Sequence, residues 1–144
     1  MANMIQKTSY PNNPKQIMLA DSQMVSFPVV LANTEVTAGS DGRKILRAGT
    51  PISGDIEARN TAFTKAKTTS AGEPPANSSN AVGILLHDVD VTDGNNNGIV
   101  VLFGFVDLEK LDEETFKLIT DDVKTALSGK IWFLTGSGTK RTAE

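Results

Sequence analysis

Hydrophobic and polar positions divide the chain into a polar start, a long middle with strand-like patterning and a short helical stretch near the end. From Ile17 onward, short apolar runs are separated by turn residues, which is typical of strands. The first strand is predicted over residues 25–32. Because Pro28 removes a ladder donor from it, we expect this strand at a sheet edge or at a crossover.

Two further pairs of strands are predicted from the turns that separate them. Residues 33–37 and 43–48 flank a Gly-rich turn and predict one hairpin. Residues 81–91 and 98–108 flank an Asn- and Gly-rich turn and predict a second, stronger hairpin. The second strand of that hairpin is apolar on both faces, so we expect it at the centre of the fold. Residues 67–80 are small, polar and Pro-containing, which predicts an exposed loop.

A single amphipathic helix is predicted near the end of the chain. Asp112 is a suitable N-cap, and Gly129 stands where a C-terminal cap is expected. The helix has one apolar stripe, formed by Phe116, Ile119, Val123 and Leu127. Residues 130–135 then predict a last strand. The expected fold class is mainly β with one short helix.

The first part of the chain has a composition that does not collapse by itself. Residues 1–16 mix Asn, Gln, Lys, Ser and Pro with isolated apolar residues. Pro11 and Pro14 each fix a φ angle and favour an extended course. We therefore predict an extended N-terminal arm over residues 1–24, a β-rich domain over residues 25–135 and a flexible tail over residues 136–144.

Composition and charge narrow the function classes. A chain of 144 residues fits one domain, and the lack of cysteine excludes disulfides and thiolate metal sites. The longest apolar run, residues 99–103, is far too short to span a bilayer, and the first ten residues hold no apolar signal region. We expect a soluble, unexported protein with no membrane partner. Few aromatic residues accompany the basic ones, so direct nucleic-acid binding has little support.

Candidate catalytic and metal-binding residues are few. His87 is the only histidine, so it is the only imidazole that could activate a nucleophile as a general base. Asp88, Asp90 and Asp93 resemble an acidic calcium loop, but the glycine falls one place too late for the EF-hand pattern. Alternation with valine instead favours a half-exposed strand here, and loosely bound calcium remains open. We expect no enzyme activity, no cofactor and no metal.

Four pieces of the sequence, of which the last is a helix with the strand that follows it, resemble the lambda-type head decoration proteins of tailed phages. Residues 43–46 (RKIL) are similar to an early strand of that family, and residues 81–85 (AVGIL) to its Ala-Val-Gly-Ile-Leu strand. Residues 98–107 are similar to the following strand. A helix that starts with acidic residues and a terminal apolar strand follow in the same order, at residues 113–127 and 131–134. The turn at residues 48–52 (AGTPI) also resembles that of β-clip domains, the fold which the family implies.

This resemblance implies a structural protein of the virion. Family members are expected to form homotrimers on the outer surface of the capsid, with N-terminal arms that are ordered by the major capsid protein. The protein would be made in the host cytoplasm and would stabilise the shell. The candidate capsid-binding residues of the arm are Tyr10, Pro11, Pro14, Ile17 and Leu19. The longer N-terminal section and the segment 67–80 depart from the lambda pattern.

Two other function classes stay open at this point. One is a virion-displayed adhesion or carbohydrate-binding module, for which residues 67–80 and 95–97 offer polar surface. Sugar sites use exposed aromatic rings as stacking platforms, and the sequence shows no such cluster. The other is an enzyme, because β-clip folds include trimeric dUTP pyrophosphatases and fold does not determine function. No matching catalytic motif occurs in the chain.

Overall fold

The computed structural model describes residues 17–20, 23–72 and 76–142. Tyr10, Pro11 and Pro14 therefore lie outside the described residues. The strands are β1 (Val25–Leu31), β2 (Ile45–Leu46), β3 (Pro51–Ser53), β4 (Thr64–Lys65), β5 (Thr68–Ala71), β6 (Ala76–Ser79), β7 (Gly83–Leu85), β8 (Val89–Asp90), β9 (Asn96–Asp107) and β10 (Ile131–Leu134). Two short α-helices lie between the last two strands, α1 (Glu113–Phe116) and α2 (Asp121–Ala126). The mainly β class is confirmed.

The twelve-residue strand β9 organises the main sheet. That sheet has the order β1-β9-β7-β3-β4, and β10 also pairs with β9. The first half of β9 is antiparallel to β1 and β7, and its second half is parallel to β10. As predicted, β9 is central. Its neighbour β1 lies at an edge, which confirms the prediction from Pro28.

Apolar residues on both faces of β9 are explained by two hydrophobic clusters, one on each side of the sheet. Val101 and Ile84 belong to the cluster that packs against α2. The neighbouring Val100 and Leu85 belong to the other cluster, around Phe63. Successive side chains of a strand point to opposite faces. Around Val100 and Val101, β9 therefore has a core on each side and no polar face.

The predicted hairpin of residues 33–37 and 43–48 is wrong. Residues 33–37 form no strand, and β2 pairs instead with β8, with Ile45 opposite Asp90. This long-range pairing places Leu46 and Val89 in one of the two cores. Burial of these side chains outweighs the local turn signal.

The second predicted hairpin is confirmed in part. β7 pairs antiparallel with β9, with Ile84 opposite Val101. The N–H of Leu86 also donates to the carbonyl of Ile99 (2.9 Å). Beyond that point the chain turns away, and β8 pairs with β2 rather than with β9.

The loop that was predicted over residues 67–80 is a β-hairpin. β5 and β6 form a separate antiparallel two-stranded sheet. Its residues Thr68, Thr69, Ser70, Asn77 and Ser78 are exposed, so the surface position is as expected. Threonine has a high strand propensity, and Gly72 adopts a positive φ of 90° at the end of β5. Polar character alone did not distinguish this exposed hairpin from a loop.

The single predicted helix is interrupted, and α1 and α2 replace it. Ile119 N–H donates to the carbonyl of Phe116, an i−3 bond that closes α1. Thr120 is extended (φ −85°, ψ 172°) and precedes α2, which carries Asp121 and Asp122 in its first turn. Threonine and aspartate favour a helix start over a helix interior. The apolar stripe still faces the core as predicted.

Candidate functional site

Residues 17–19 run along the second half of β9, on the side away from β10. Met18 forms an antiparallel bridge with Val106. The carbonyl of Ile17 accepts a hydrogen bond from the N–H of Asp107 (2.8 Å), and the Leu19 N–H donates to the carbonyl of Phe105 (2.9 Å). The Ile17 side chain is completely buried, and Met18 is 2% exposed. This segment, which we call the anchor (residues 17–19), is part of the folded body.

The structure separates the two described candidates of the predicted arm. Ile17 lies in the core, among the residues that contact β9 and the helices. Leu19 is 40% exposed, although it is only two residues further along the chain. Residues two apart on an extended segment point to the same side, so strand alternation does not produce this difference. Ile17 is covered by the residues of the core, and Leu19 is not. Within the arm hypothesis, Ile17 attaches the arm and Leu19 is available for contact.

Leu19 belongs to a continuous apolar surface on the outer side of the main sheet. We call it the aromatic face, and it consists of Leu19, Val25, Phe103, Phe105, Trp132 and Leu134. All five large hydrophobic side chains that are exposed in the described part of the chain belong to it, with exposed fractions of 39–50%. Phe105 is half-buried between them.

Strand register explains why these residues share one side. Val25 lies opposite Phe103 across β1 and β9, and Trp132 lies beside Phe105 across β9 and β10. Directly paired residues of neighbouring strands point to the same face, as do residues two apart on one strand. Gly104 lies between the two phenylalanines, and a Cβ there would lie 2.8 Å from Met18 Cε on the opposite face. The register alone therefore assembles the face.

The Trp132 ring contacts both phenylalanine rings of the face. Trp132 meets Phe103 edge to face, with ring centroids 5.4 Å apart and planes at 78°. It stacks on Phe105 with centroids 5.2 Å apart and planes at 26°. Both arrangements are favourable for aromatic quadrupoles. The indole is thus held in place on strands that the core supports.

Asp107, which pairs with Leu134 of this surface across β9 and β10, uses its carboxylate for hydrogen bonds within the protein. Asp107 is 3% exposed, and its side chain accepts hydrogen bonds from the N–H groups of Glu109 (3.0 Å) and Gly136 (3.3 Å). It caps the short 3-10 turn Leu108–Lys110, which follows β9. None of the six residues of the aromatic face carries a charge. The face therefore suits an apolar partner surface.

The acidic turn that resembled a calcium loop is occupied by the protein's own donors. Asp88 accepts from the Ala48 N–H (2.7 Å) and pairs with Arg47. Asp90 accepts from the Thr92 hydroxyl and pairs with Arg43 at 2.9 Å. These hydrogen bonds, chiefly those from Thr92, lower the pKa of Asp90 from 3.8 to about 2. In the described ranges, no group of three or more His, Asp or Glu side chains is placed to hold a metal ion.

His87 follows β7 and is half-buried, and its Nδ1 atom has no hydrogen-bond partner among the described residues. A catalytic base is oriented through hydrogen bonds, and at this nitrogen His87 has none. The geometry therefore gives no support for His87 as a catalytic base.

Sequence reasoning missed the aromatic residues of the face. It assigned Phe103 and Phe105 to a fully buried strand and Trp132 to the last strand, and it concluded that no exposed aromatic cluster exists. The structure corrects that conclusion. The available signal was the spacing of Phe103 and Phe105, which places both on one side of a strand. Nothing in the sequence shows that β10 places Trp132 beside them.

Comparison of the chain with protein-family models, with curated proteins and with solved structures finds no match in any of the three. Among residues 17–20, 23–72 and 76–142, no helix has the length and apolarity that are needed to cross a membrane.

Proposed function

We propose that the chain is a capsid decoration protein of a tailed phage, which binds the outer surface of the major capsid shell as a homotrimer and stabilises it. The proposed fold is a β-clip-like domain with an N-terminal arm that engages the shell. The resemblance of residues 43–135 to the lambda-type decoration proteins motivates this proposal.

The observation that carries the proposal is the anchor. Ile17 and Met18 are buried, and main-chain hydrogen bonds from both sides of Met18 tie the segment to β9. A partner that holds residues 1–16 would therefore pull directly on the central strand of the fold. Tension on the arm would then pass into β9, which is held by its neighbouring strands and by the core. A protein that clamps two capsomers together needs an arm that tension does not detach from the domain.

The energetics of an arm favour a partner. Ordering an extended residue costs about 1–2 kcal/mol of backbone entropy, and a polar segment recovers this only where it gains hydrogen bonds, such as those of a sheet edge. Three arms in one trimer make the second and third contacts effectively intramolecular. Weak single attachments then add up to tight binding of the shell.

Sedimentation with empty, expanded capsids of the phage that encodes the chain tests this function. The full chain should form a trimer and sediment with the capsids, and a variant that lacks residues 1–16 should lose binding and keep its fold. The anchor defines where this truncation ends, because removal of residues 1–24 would also take Ile17 and Met18 out of the core. Unchanged capsid binding by the truncated chain would show that the arm mechanism is wrong.

A virion-displayed carbohydrate-binding module is the second candidate, and the aromatic face is the observation that favours it. Aromatic rings stack on sugars, but sugar hydroxyls also need hydrogen-bonding groups beside the rings. Here Trp132 already stacks on Phe105, and the remaining exposed residues of the face are aliphatic or phenylalanine. The face is therefore better suited to a protein. Glycan-array binding that Trp132→Ala abolishes would reverse this preference.

A further inference from the structure

We propose that the aromatic face is a second attachment surface, separate from the arm, and that it docks on an apolar, uncharged patch of the shell protein. This inference rests on the proposed function. It adds a contact made by the folded body to the contact made by the N-terminal arm.

The size of the face matches such a role. Aromatic and large aliphatic residues bury roughly 150–250 Å² each, so five residues that are 39–50% exposed present on the order of 400–500 Å² of apolar surface. This is the size of the largest apolar patch on a typical soluble protein, about 300–600 Å², and that patch is often functional. Because all the exposed large hydrophobic residues of the described chain lie together, chance scatter does not explain the face.

The area also indicates which kind of partner binds there. A standard contact between separately folded proteins buries about 800 Å² on each side, of which a little over half is apolar. The apolar area of the face corresponds to one side of such a contact. Obligate subunit interfaces are larger and more apolar, and they resemble a core cut in half. The face thus fits docking on a separate folded protein better than the permanent interface of a trimer.

The aromatic face is continuous with the anchor, which indicates that the shell protein that holds the arm also binds the face. Leu19 belongs to both the anchor and the aromatic face, and its N–H donates to the carbonyl of Phe105 within that face. A partner that holds residues 1–16 is therefore kept close to the face. Two linked contacts bind more tightly than either alone when the geometry lets both form.

The central ring is already held in a fixed position before binding. Trp132 packs against Phe103 and Phe105, and its strand is paired with β9. A side chain that is ordered in the free protein loses little further entropy on binding. Tryptophan is also enriched among the residues that dominate binding energy at interfaces. We expect Trp132 to be the main energetic contact of the face.

Two substitutions in the full chain test the inference without relying on one variant to fold. Trp132→Ala removes the central ring, and Val25→Glu places a charge at a 50% exposed position of the edge strand β1. Thr69→Ala, on the exposed hairpin, is the matched control. Each protein is measured for its oligomeric state by analytical ultracentrifugation and for its binding to expanded capsids by sedimentation.

We expect both face variants to bind capsids at least tenfold more weakly, with an unchanged oligomeric state, and the control to bind like the unmodified chain. Binding within twofold of the unmodified chain in both face variants overturns the inference. Loss of the oligomer overturns it as well, since the face would then be a subunit interface. Failure of the unmodified chain to bind capsids rejects the proposed function itself, and this inference with it.

A direct readout comes from Trp132, which is the only tryptophan of the chain. Labelling with 5-hydroxytryptophan allows this residue to be excited apart from the tryptophans of the shell protein. Acrylamide should quench its fluorescence in the free oligomer and should quench it much less on the capsid. Protection that is already present in the free oligomer would contradict docking on the shell.

Discussion

The guanidinium carbon of Arg141 lies 4.3 Å from the centroid of the Phe116 ring. The same group donates hydrogen bonds to the carbonyls of Leu108 and Leu111, and it pairs with Glu113 at 3.0 Å. A residue near the end of the chain thus connects the turn after β9 with the first turn of α1. The composition of residues 136–144 predicts a flexible tail. Arg141 instead packs against the domain through these contacts.

Arg141→Ala should lower the free energy of unfolding by about 2 kcal/mol. The change removes charge-assisted hydrogen bonds to two carbonyls and a partly desolvated ion pair, and single bonds of this type contribute about 1.5–3 kcal/mol. Urea denaturation monitored by circular dichroism measures the effect. The neighbouring exposed residue provides the control, and Lys140→Ala should change stability by less than about 0.5 kcal/mol. Equal stability of both variants would mean that the contacts of Arg141 contribute nothing to folding.

Ile17→Ala should destabilise the fold, although Ile17 lies in the segment that was predicted to be an arm. A completely buried isoleucine that is cut to alanine leaves a cavity, at a cost of about 2–5 kcal/mol. Leu19→Ala, at a 40% exposed position, should cost less than about 1 kcal/mol. Thermal denaturation of the two variants compares them directly. A smaller loss for Ile17→Ala than for Leu19→Ala would place the start of the folded body after residue 17.

Gly83→Ala should destabilise the main sheet strongly. A Cβ at this position would lie 2.5 Å from both Val100 Cγ1 and the carbonyl oxygen of Val101. Because one of these atoms belongs to the backbone of β9, the contact is not relieved by a rotamer change, and overpacking of this type costs about 1–3 kcal/mol or more. Denaturant unfolding measures the loss.

Gly39→Ala is the matched control for this substitution. Its added Cβ would meet Oδ1 of the exposed Asp41 at 3.2 Å, so this side chain must shift by a few tenths of an ångström while it keeps its hydrogen bond from the Arg43 N–H. We expect little change in stability. A Gly83→Ala protein as stable as the control would be incompatible with the close pairing of β7 and β9.

Stability should fall with acid in a way that depends on Asp90. Hydrogen bonds from the Thr92 hydroxyl and N–H, together with Arg43, lower the pKa of Asp90 to about 2 from its ordinary 3.8. A carboxyl whose pKa is lower in the folded state stabilises the fold above its unfolded pKa, and this contribution is lost as the pH falls from about 4 to 2. Asp90→Asn should therefore reduce the pH dependence of the urea midpoint in this window.

Measurements of the urea midpoint between pH 2 and pH 5 test the assignment. Asp93→Asn, in the same turn, is the control and should retain the slope of the unmodified chain. If the slope of Asp90→Asn equalled that of the control, other carboxyl groups would be responsible for the acid sensitivity.

The features that were predicted correctly depend on residues close together in the sequence. Pro28 marked an edge strand because it lacks an N–H donor in any context. The doubly apolar run of β9 predicted a central strand, because such a run is typical of a strand that is buried on both faces. Phe103, which is 43% exposed, departs from that expectation. The helical stripe and Gly129, whose φ is +78°, followed from local periodicity and capping preferences.

The predictions that were wrong concern segments whose sequence is compatible with more than one local structure. The turn before residue 43 permits a hairpin, yet β2 pairs with β8, more than forty residues away, because that register buries Leu46 and Val89. The signal for a new helix start at Thr120 was present, but the continuous apolar stripe concealed it. Local propensities differ by less than the free energy that burial of several side chains contributes.

By itself, the sequence determined that this protein is mainly β, where its central strand lies and which helical face is apolar, because alternation and periodicity are properties of neighbouring residues. Only the tertiary structure decided that residues 17 and 18 belong to the body and that Trp132 joins Phe103 and Phe105 on one exposed face. These relationships depend on the register between β9, β10 and the anchor. Register is set by the joint packing of distant segments, and no single segment encodes it.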